Sequence, residues 1–450
     1  MIFSSVSPHD IARSRCRILS VPDVVFKIPA FTETHILSTE KAVVKESDEV
    51  NFKAVEQIKH DLFNIAWNNF LIGADPQLQK EFEGFCRKEA DWLNDYALYS
   101  LLKQNNNGEP WYNWTNIFQV RDTRALADFS ENNVTALNKI KWLQYLFAKQ
   151  WLNLKAYCNK LNIKLFGDLP FYISYDSADV WTNPEIFSLD ENLDLKYVSG
   201  VPPDYFNENG QRWGMPVFNW DKLKETNYDW WIKRISKNLE WYDLLRLDHF
   251  RAFSSYWQIS AEEETAINGQ WVPGPGSDFF HALQAAFGEL PFVAEDLGDI
   301  DEAVYKLRDE FNLPGMKVLQ FAFGDDMPAS AYIPHHHTEN YFVYTGTHDN
   351  NTTLGWYNTD AEATVKKNLK SYTGIKVSQQ NINKVFNKMA LASVCKTAII
   401  PIQDLLGLDE TSRMNVPAAA SGNWTWQLTK KQLKKFPRKK LLKWTIIFNR

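Results

Sequence analysis

The sequence predicts an α/β protein, a (β/α)8 TIM-type barrel with an inserted α-helical subdomain. The first observation is a change in sequence pattern near residue 161. Beyond it, short apolar runs end in polar, acidic or glycine residues, and helical stretches lie between most of these runs. Strands that alternate with helices form parallel sheets, and such barrels carry functional residues where their strands end. The six predicted strands are Ile163–Asp168, Leu244–Asp248, Phe292–Glu295, Met316–Phe323, Phe342–Gly346 and Ala398–Gln403.

The second observation is the helical periodicity of residues 51–160. Apolar residues recur at spacings of three and four from Phe52 to Ala66, and a long helix is predicted over Leu137–Leu161. We therefore expect three parts: a divergent N-terminal segment (1–50), a mainly α-helical subdomain (51–160) and a barrel portion (161–450).

Composition narrows the class of protein. The chain has 450 residues and a formal net charge of −6, and no basic stripe dominates, so no nucleic-acid partner is expected. The lysine-rich segment 430–440 is interpreted as a solvated helix face. No apolar run approaches the roughly 20 residues of a membrane helix, and no signal peptide is seen, so no membrane partner is expected. The four cysteines lack CxxC spacing, which fits a cytoplasmic protein without a disulfide framework.

Three of the predicted strands end in an acid beside another polar group. Asp248, Glu295 and Asp349 are far enough apart for one or more strand–helix units between them, so all three can converge on one barrel mouth. Retaining glycosyl transfer needs a nucleophilic carboxylate and an acid/base carboxyl about 5 Å apart. Arg246 lies two residues before Asp248, on the same strand face, where its charge favours an ionised Asp248. Taken singly, each of these motifs is more often a structural ion pair or a turn.

Together the motifs resemble the signature regions of amylomaltases, the 4-alpha-glucanotransferases of glycoside hydrolase family 77 in the α-amylase superfamily. The similarity covers about Asn51 to Gln427, with the motifs in the order of the family. The matching segments are Gly167–Tyr172, Asp176–Asn183, Gly200–Trp213, Arg246–Arg251, Ala294–Gly298, Leu313–Phe323, Gly346–Asn350, Pro401–Leu405 and Ser421–Trp426.

The resemblance implies a role for each matching catalytic position. Asp248 would be the nucleophile, Glu295 the acid/base and Asp349 the stabiliser of the transition state. Arg246 and His348 would bind the sugar at the −1 subsite.

The resemblance also implies residues around this centre. Asp168 matches the acid of the first signature strand and would hold the site together. The loop Pro202–Pro216 would be a mobile lid over the donor glucan, with Tyr205, Phe206 and Trp213 as stacking surfaces for sugar rings. An ordinary structural role for these three aromatic residues is about equally compatible with the sequence.

The implied reaction is retaining transfer of α-1,4-glucan segments between maltooligosaccharides, with other α-1,4-glucans or glucose as acceptor. It needs no cofactor. No metal is expected either, because the adjacent histidines His335, His336 and His337 have poor spacing for a ligand set. The oligomeric state stays open.

The sequence departs from the family at its opening. Residues 1–50 do not resemble the first two barrel strands of the family, and two β-like runs, Arg17–Val21 and Val24–Ile28, are too close for a parallel crossover. We therefore expect a truncated barrel that lacks these strands. Ala252 stands where the family usually has glycine, which would crowd the backbone, and Met215 stands where the lid usually has asparagine.

Two alternative functions remain open from the sequence. A truncated relative could bind glucans without turnover, and a hydrolase of the same superfamily could carry the same acids.

Overall fold

The computed structural model describes two compact units. The first contains Glu56–Glu295 and Ile300–Phe311, and the second contains Asn312–Arg450 with residues 47–55 and 296–298. The two β-like runs lie before residue 47, outside the described part of the chain. The expectation that the first two barrel strands are lacking concerns the same region and stays a prediction. The described residues are 47–73, 76–203, 207–298, 300–417, 419 and 421–450.

Every described regular element between Phe52 and Lys160 is helical, as the apolar spacing predicts. Trp142 and Tyr145, from the long helix at the end of this segment, pack with Trp67 in an aromatic-rich cluster. The helices are α1 (Phe52–Leu71), α2 (Pro76–Lys88), α3 (Ala90–Asn105), α4 (Asn116–Gln119), α5 (Thr123–Asn132) and α6 (Val134–Lys160).

A three-stranded parallel sheet follows in the first unit. It has the order β1 (Phe166–Leu169), β4 (Leu244–Leu247) and β7 (Phe292–Ala294). The strands are short and largely apolar, as expected for parallel strands covered on both faces. The first unit also contains α7 (Ala178–Thr182), α8 (Trp220–Glu225), α9 (Asp229–Trp241), α10 (Gly276–Phe287) and α11 (Glu302–Glu310).

An antiparallel sheet in the first unit was not predicted. Its order is β3 (Gln211–Pro216), β2 (Tyr197–Val201), β5 (Ser255–Ser260) and β6 (Gln270–Pro273). Strand β3 therefore forms the C-terminal part of the segment expected to be a lid.

The second unit contains another three-stranded parallel sheet. Its order is β10 (Thr397–Ile399), β9 (Tyr341–Tyr344) and β8 (Gly315–Val318). Phe323, Val343 and Phe386 belong to the apolar core beside it. The helices of this unit are α12 (Thr353–Gly355), α13 (Ala363–Thr373), α14 (Ile382–Ala392), α15 (Ile402–Leu406), α16 (Lys430–Lys434) and α17 (Arg438–Ile447).

All six regions predicted as parallel strands overlap one, with bounds that differ by one or more residues. The largest difference in length is at Met316–Phe323, where the strand ends at Val318 and a 3-10 turn, Leu319–Phe321, follows. The apolar run continues there because Leu319 and Phe323 are buried in the core, and burial alone does not mark the end of strand pairing.

The described strands pair into separate open sheets, so closure into the predicted barrel remains a prediction, as do the predicted domain boundaries. None of the described helices has both the length and the apolar composition needed to span a bilayer.

Candidate active site

Asp248 and Glu295 follow the ends of two neighbouring strands. Leu247 of β4 is the register partner of Ala294 of β7, so the two acids begin at the same edge of the sheet. The backbone N–H of His249 donates to Glu295 Oε2 at 2.9 Å, and the N–H of Glu295 donates to the Leu247 carbonyl at 3.1 Å. The structure thus places the Glu295 carboxylate against the residue that follows Asp248.

Arg246 joins two acids of neighbouring strands. Its Nε and Nη2 donate to the two carboxylate oxygens of Asp168 at 2.8 and 2.9 Å, and Nη2 also donates to Asp248 Oδ1 at 2.8 Å. The parallel register explains the geometry, because Asp168 of β1 lies opposite Arg246 of β4. Burial acts to lower the pKa of Arg246, but the charges of Asp168 and Asp248 outweigh it, and the pKa lies above its ordinary value. The guanidinium is a fixed cation that favours the ionised form of Asp248.

Aromatic rings pack around His249, the residue that follows Asp248. The His249 ring centroid is 5.0 Å from that of Trp213, in β3, and 6.1 Å from that of Tyr172. Burial, and to a smaller extent the charge of Arg251, lowers the pKa of His249 to about 4, so the ring is neutral near pH 7. The backbone of His249 is left-handed, with φ of 53°. Trp213 thus packs against His249, the residue that follows Asp248, whereas the other two expected stacking residues, Tyr205 and Phe206, lie outside the described chain.

His348 and Asp349 lie in the loop after β9 of the second unit. Asn415 Nδ2 donates to Asp349 Oδ1 at 2.6 Å, and Arg413 Nη2 donates to the Asp349 carbonyl at 2.8 Å. His348 Nε2 is 3.3 Å from Asp349 Oδ2, and its ring centroid is 5.2 Å from that of Trp424. Asp349 is therefore held at both its side chain and its backbone. Its convergence with Asp248 and Glu295 remains a prediction.

Comparison with known proteins decides the family. Residues 16–433 match the model of glycoside hydrolase family 77, described as 4-alpha-glucanotransferase. The chain belongs to this family. The match extends further toward the N-terminus than Asn51, so the limit that we expected for the resemblance was too narrow.

The relatives include enzymes named 4-alpha-glucanotransferase. The one from Synechocystis sp. is 44% identical over 387 residues, covering 85% of this chain and 76% of the relative. The one from Thermus thermophilus is 42% identical over 368 residues, with coverage of 81% and 73%. An amylomaltase from Streptococcus agalactiae, solved in complex with acarbose, is 34% identical and superposes with a TM-score of 0.87 over 92% of this chain and 84% of that one. The chain therefore has the mixed α/β fold of an amylomaltase.

The sequence alone does not reveal several residues that contact the predicted site or lie near it. Arg413 and Asn415 were not singled out, although they bind Asp349. Trp424 and Asp404 stand in segments that resemble the family, but nothing local assigned them a role. Asn415 is 66 positions from Asp349, and no apolar periodicity marks its segment.

Of the three adjacent histidines, His335 and His336 have ring centroids 4.3 Å apart, whereas His337 has different hydrogen-bond partners. His337 is buried, with Nδ1 2.8 Å from Ser393 Oγ and Nε2 2.9 Å from the Tyr332 carbonyl. His335 is exposed and stacks on Tyr372. No group of three His, Cys, Asp or Glu side chains that could hold a metal ion occurs within the described residues.

The backbone is closely packed near Ala252, but the close approach involves Gly274. Ala252 is buried in a 3-10 turn and has no left-handed backbone, so its methyl group needs no strained conformation. The close approach is instead at Gly274, where a Cβ atom would lie 2.4 Å from the Ala252 carbonyl oxygen. Glycine is thus required at 274 rather than at 252.

Proposed function

We propose that this chain transfers α-1,4-glucan segments between maltooligosaccharides by retaining double displacement, with Asp248 as nucleophile and Glu295 as acid/base. The observation that carries this assignment is the hydrogen bond from the His249 amide to the Glu295 carboxylate. It supports a pair of carboxyl groups on adjacent strand ends, and Arg246 supplies the cation that favours an ionised Asp248. Family membership supports the same reaction class.

In the first step, an oxygen of Asp248 attacks the anomeric carbon of the donor. Glu295 gives its proton to the glycosidic oxygen, the glycosidic bond breaks, and the fragment that carried that oxygen leaves. Asp248 is then joined covalently to the glucan. Asp349 is assigned the third carboxylate role, which opposes positive charge in the transition state, with His348 and Arg246 as sugar-binding groups.

In the second step, the 4-hydroxyl of an acceptor glucan or of glucose attacks the same carbon. Glu295 takes the hydroxyl proton, and the bond to Asp248 breaks, which restores both carboxyl groups. Two inversions leave the α configuration unchanged. Trp213 is assigned a stacking surface for sugar rings because it forms a wall near His249, and apolar sugar faces pack well on aromatic rings.

The proposal includes a (β/α)8 barrel to which the six described parallel strands belong. It also includes a cytoplasmic location and α-glucan partners. Three of the cysteines, Cys86, Cys158 and Cys395, are free thiols, which supports a reducing compartment. Acarbose in the Streptococcus relative supports recognition of an α-glucan-like oligosaccharide.

Incubation with maltotriose tests the proposal. Transfer produces glucose with maltopentaose and maltose with maltotetraose, which chromatography separates. Glucose and maltose without longer products would instead establish the hydrolase, and binding of maltotriose without conversion would establish the inactive relative. The Asp248→Asn variant should form no products.

A further inference from the structure

Asp404 is a buried carboxylate with no assigned role. It lies in α15, after β10, and only 1% of its surface is exposed. Its Oδ2 accepts hydrogen bonds from the hydroxyls of Thr345, at 2.5 Å, and Thr353, at 2.7 Å. Its Oδ1 accepts the backbone N–H of Thr353 at 2.7 Å. One carboxylate therefore binds two threonines that are themselves fully buried.

The two threonines stand at the two ends of the loop that carries His348 and Asp349. Thr345 directly follows β9, and Thr353 begins α12. Within the loop, the backbone N–H and hydroxyl of Thr347 both donate to Asn350 Oδ1 at 2.9 Å, which closes a tight turn. Fixing the two ends of such a compact loop restricts the positions that Asp349 can take.

Asp404 is itself attached to a third element. Its backbone carbonyl accepts hydrogen bonds from Asn383 Nδ2, at 3.1 Å, and Asn387 Nδ2, at 3.2 Å. Both asparagines are buried in α14. The residue that binds both loop ends is therefore itself hydrogen-bonded to helix α14. This restricts the movement of the loop ends relative to the core.

A carboxylate is a costly residue to use for packing alone. Burial raises the pKa of Asp404, and the hydrogen bonds from Thr345 and Thr353 oppose that shift. Among the described residues, no lysine or arginine contributes to this shift. An apolar side chain would fill the same space without this desolvation cost. What the carboxylate adds is three directed acceptor bonds, which fix distances and angles.

We propose that Asp404 is a positioning residue for glucan transfer, holding the 345–353 loop so that Asp349 meets the charge that develops in the transition state. This inference rests on the role proposed above for Asp349. A side chain that acts through the placement of Asp349 affects the transition state more than the bound substrate, so its loss lowers kcat more than it raises KM.

The test compares Thr345→Val, Thr345→Ser and Asp404→Asn with the wild type in maltotriose disproportionation. Thr345→Val removes one donor to Asp404 at nearly constant volume, and Thr345→Ser restores it. Thr373→Val is the matched control, because that hydroxyl donates to the Leu369 carbonyl at 2.8 Å within α13. Circular dichroism and melting temperatures establish that each variant is folded.

Thr345→Val and Asp404→Asn should each lower kcat about tenfold or more, with KM within about twofold of the wild type. Thr345→Ser should return kcat to within about threefold, and Thr373→Val should leave it unchanged. A wild-type kcat in a folded Thr345→Val variant would overturn the positioning role, as would a loss that serine does not restore. Should the valine variant fail to fold, the nearly isosteric Asp404→Asn decides by the same kcat and KM criteria. Failure of the wild type to disproportionate maltotriose would overturn the proposed function instead.

Discussion

Arg246 and Asp168 form a two-bond pair in which each carboxylate oxygen accepts a hydrogen bond from a different guanidinium nitrogen. The same guanidinium also donates to Asp248. The planar fork fixes the direction of three bonds, whereas a lysine ammonium would supply a point charge without that geometry. Arg246 therefore supplies both a positive charge beside Asp248 and a directed hydrogen bond to it.

Replacement of Arg246 by lysine should lower kcat/KM for maltotriose roughly a hundredfold, because the charge remains but the orientation of Asp248 is lost. Steady-state kinetics on the folded variant measures the effect. Arg121→Lys is the control, since Arg121 pairs with Asp95 in the helical segment. Equal activities of the two variants would refute the orienting role.

The proposed acid and nucleophile can be separated with a substrate whose leaving group needs no proton. Glu295→Gln should lose at least about a thousandfold in kcat/KM on maltotriose, and most of this loss should be absent in kcat/KM for α-maltosyl fluoride, because the first step then needs no acid. Its kcat on the fluoride should stay low, because Glu295 is also proposed to take the acceptor proton in the second step. Asp248→Asn should lose activity on both donors, because no covalent intermediate can form. Recovery of Asp248→Asn with the fluoride would contradict the assignment.

The parts of the site that were predictable depend on local patterns. Asp248 and Glu295 each end an apolar run, and parallel pairing of β4 with β7 brings such ends together. Asn415 has no such signal, because a polar residue in an irregular segment can bind almost any partner until the fold selects one. The antiparallel sheet was missed for a related reason: its strands pair through long-range register, and the segment around Gly200 has no clear alternation.

The bond from Asn415 to Asp349 predicts a pH effect. Asn415→Asp would place a second carboxylate about 2.6 Å from Asp349, and two like charges so close raise the pKa of one of them. The acidic limb of the pH profile of kcat/KM should therefore move to higher pH, because Asp349 is proposed to act ionised. Asn415→Ala should lower kcat about tenfold without moving that limb, and Asn340→Asp serves as a remote control. An unshifted profile for Asn415→Asp would argue against the proposed role of Asp349.

Removal of the Trp213 ring should weaken binding of the glucan substrate. Trp213→Ala removes the indole beside His249 and should raise KM for maltotriose about tenfold, because stacking area for a sugar ring is lost. The fraction of glucose formed without longer products should also rise, since water gains access to the covalent intermediate. Trp271→Ala is the matched control, from an exposed tryptophan of the same sheet. If both variants change KM equally, Trp213 has no special place in the site.

His337 should make the protein sensitive to acid. Burial lowers its pKa from 6.5 to about 4, because a charged ring would lose its hydration, and the hydrogen bond to the Tyr332 carbonyl opposes this shift only in part. Since the folded pKa lies below the unfolded one, the stability from neutral His337 is present above pH 6.5 and is lost as pH falls toward 4. Between pH 7 and pH 5 this amounts to about 2 kcal/mol of unfolding free energy. Urea unfolding should show that the unfolding free energy of His337→Gln falls by about 2 kcal/mol less than that of the wild type between pH 7 and pH 5. The exposed His335→Gln variant should behave as the wild type does. Equal losses in all three proteins would exclude His337 as the source.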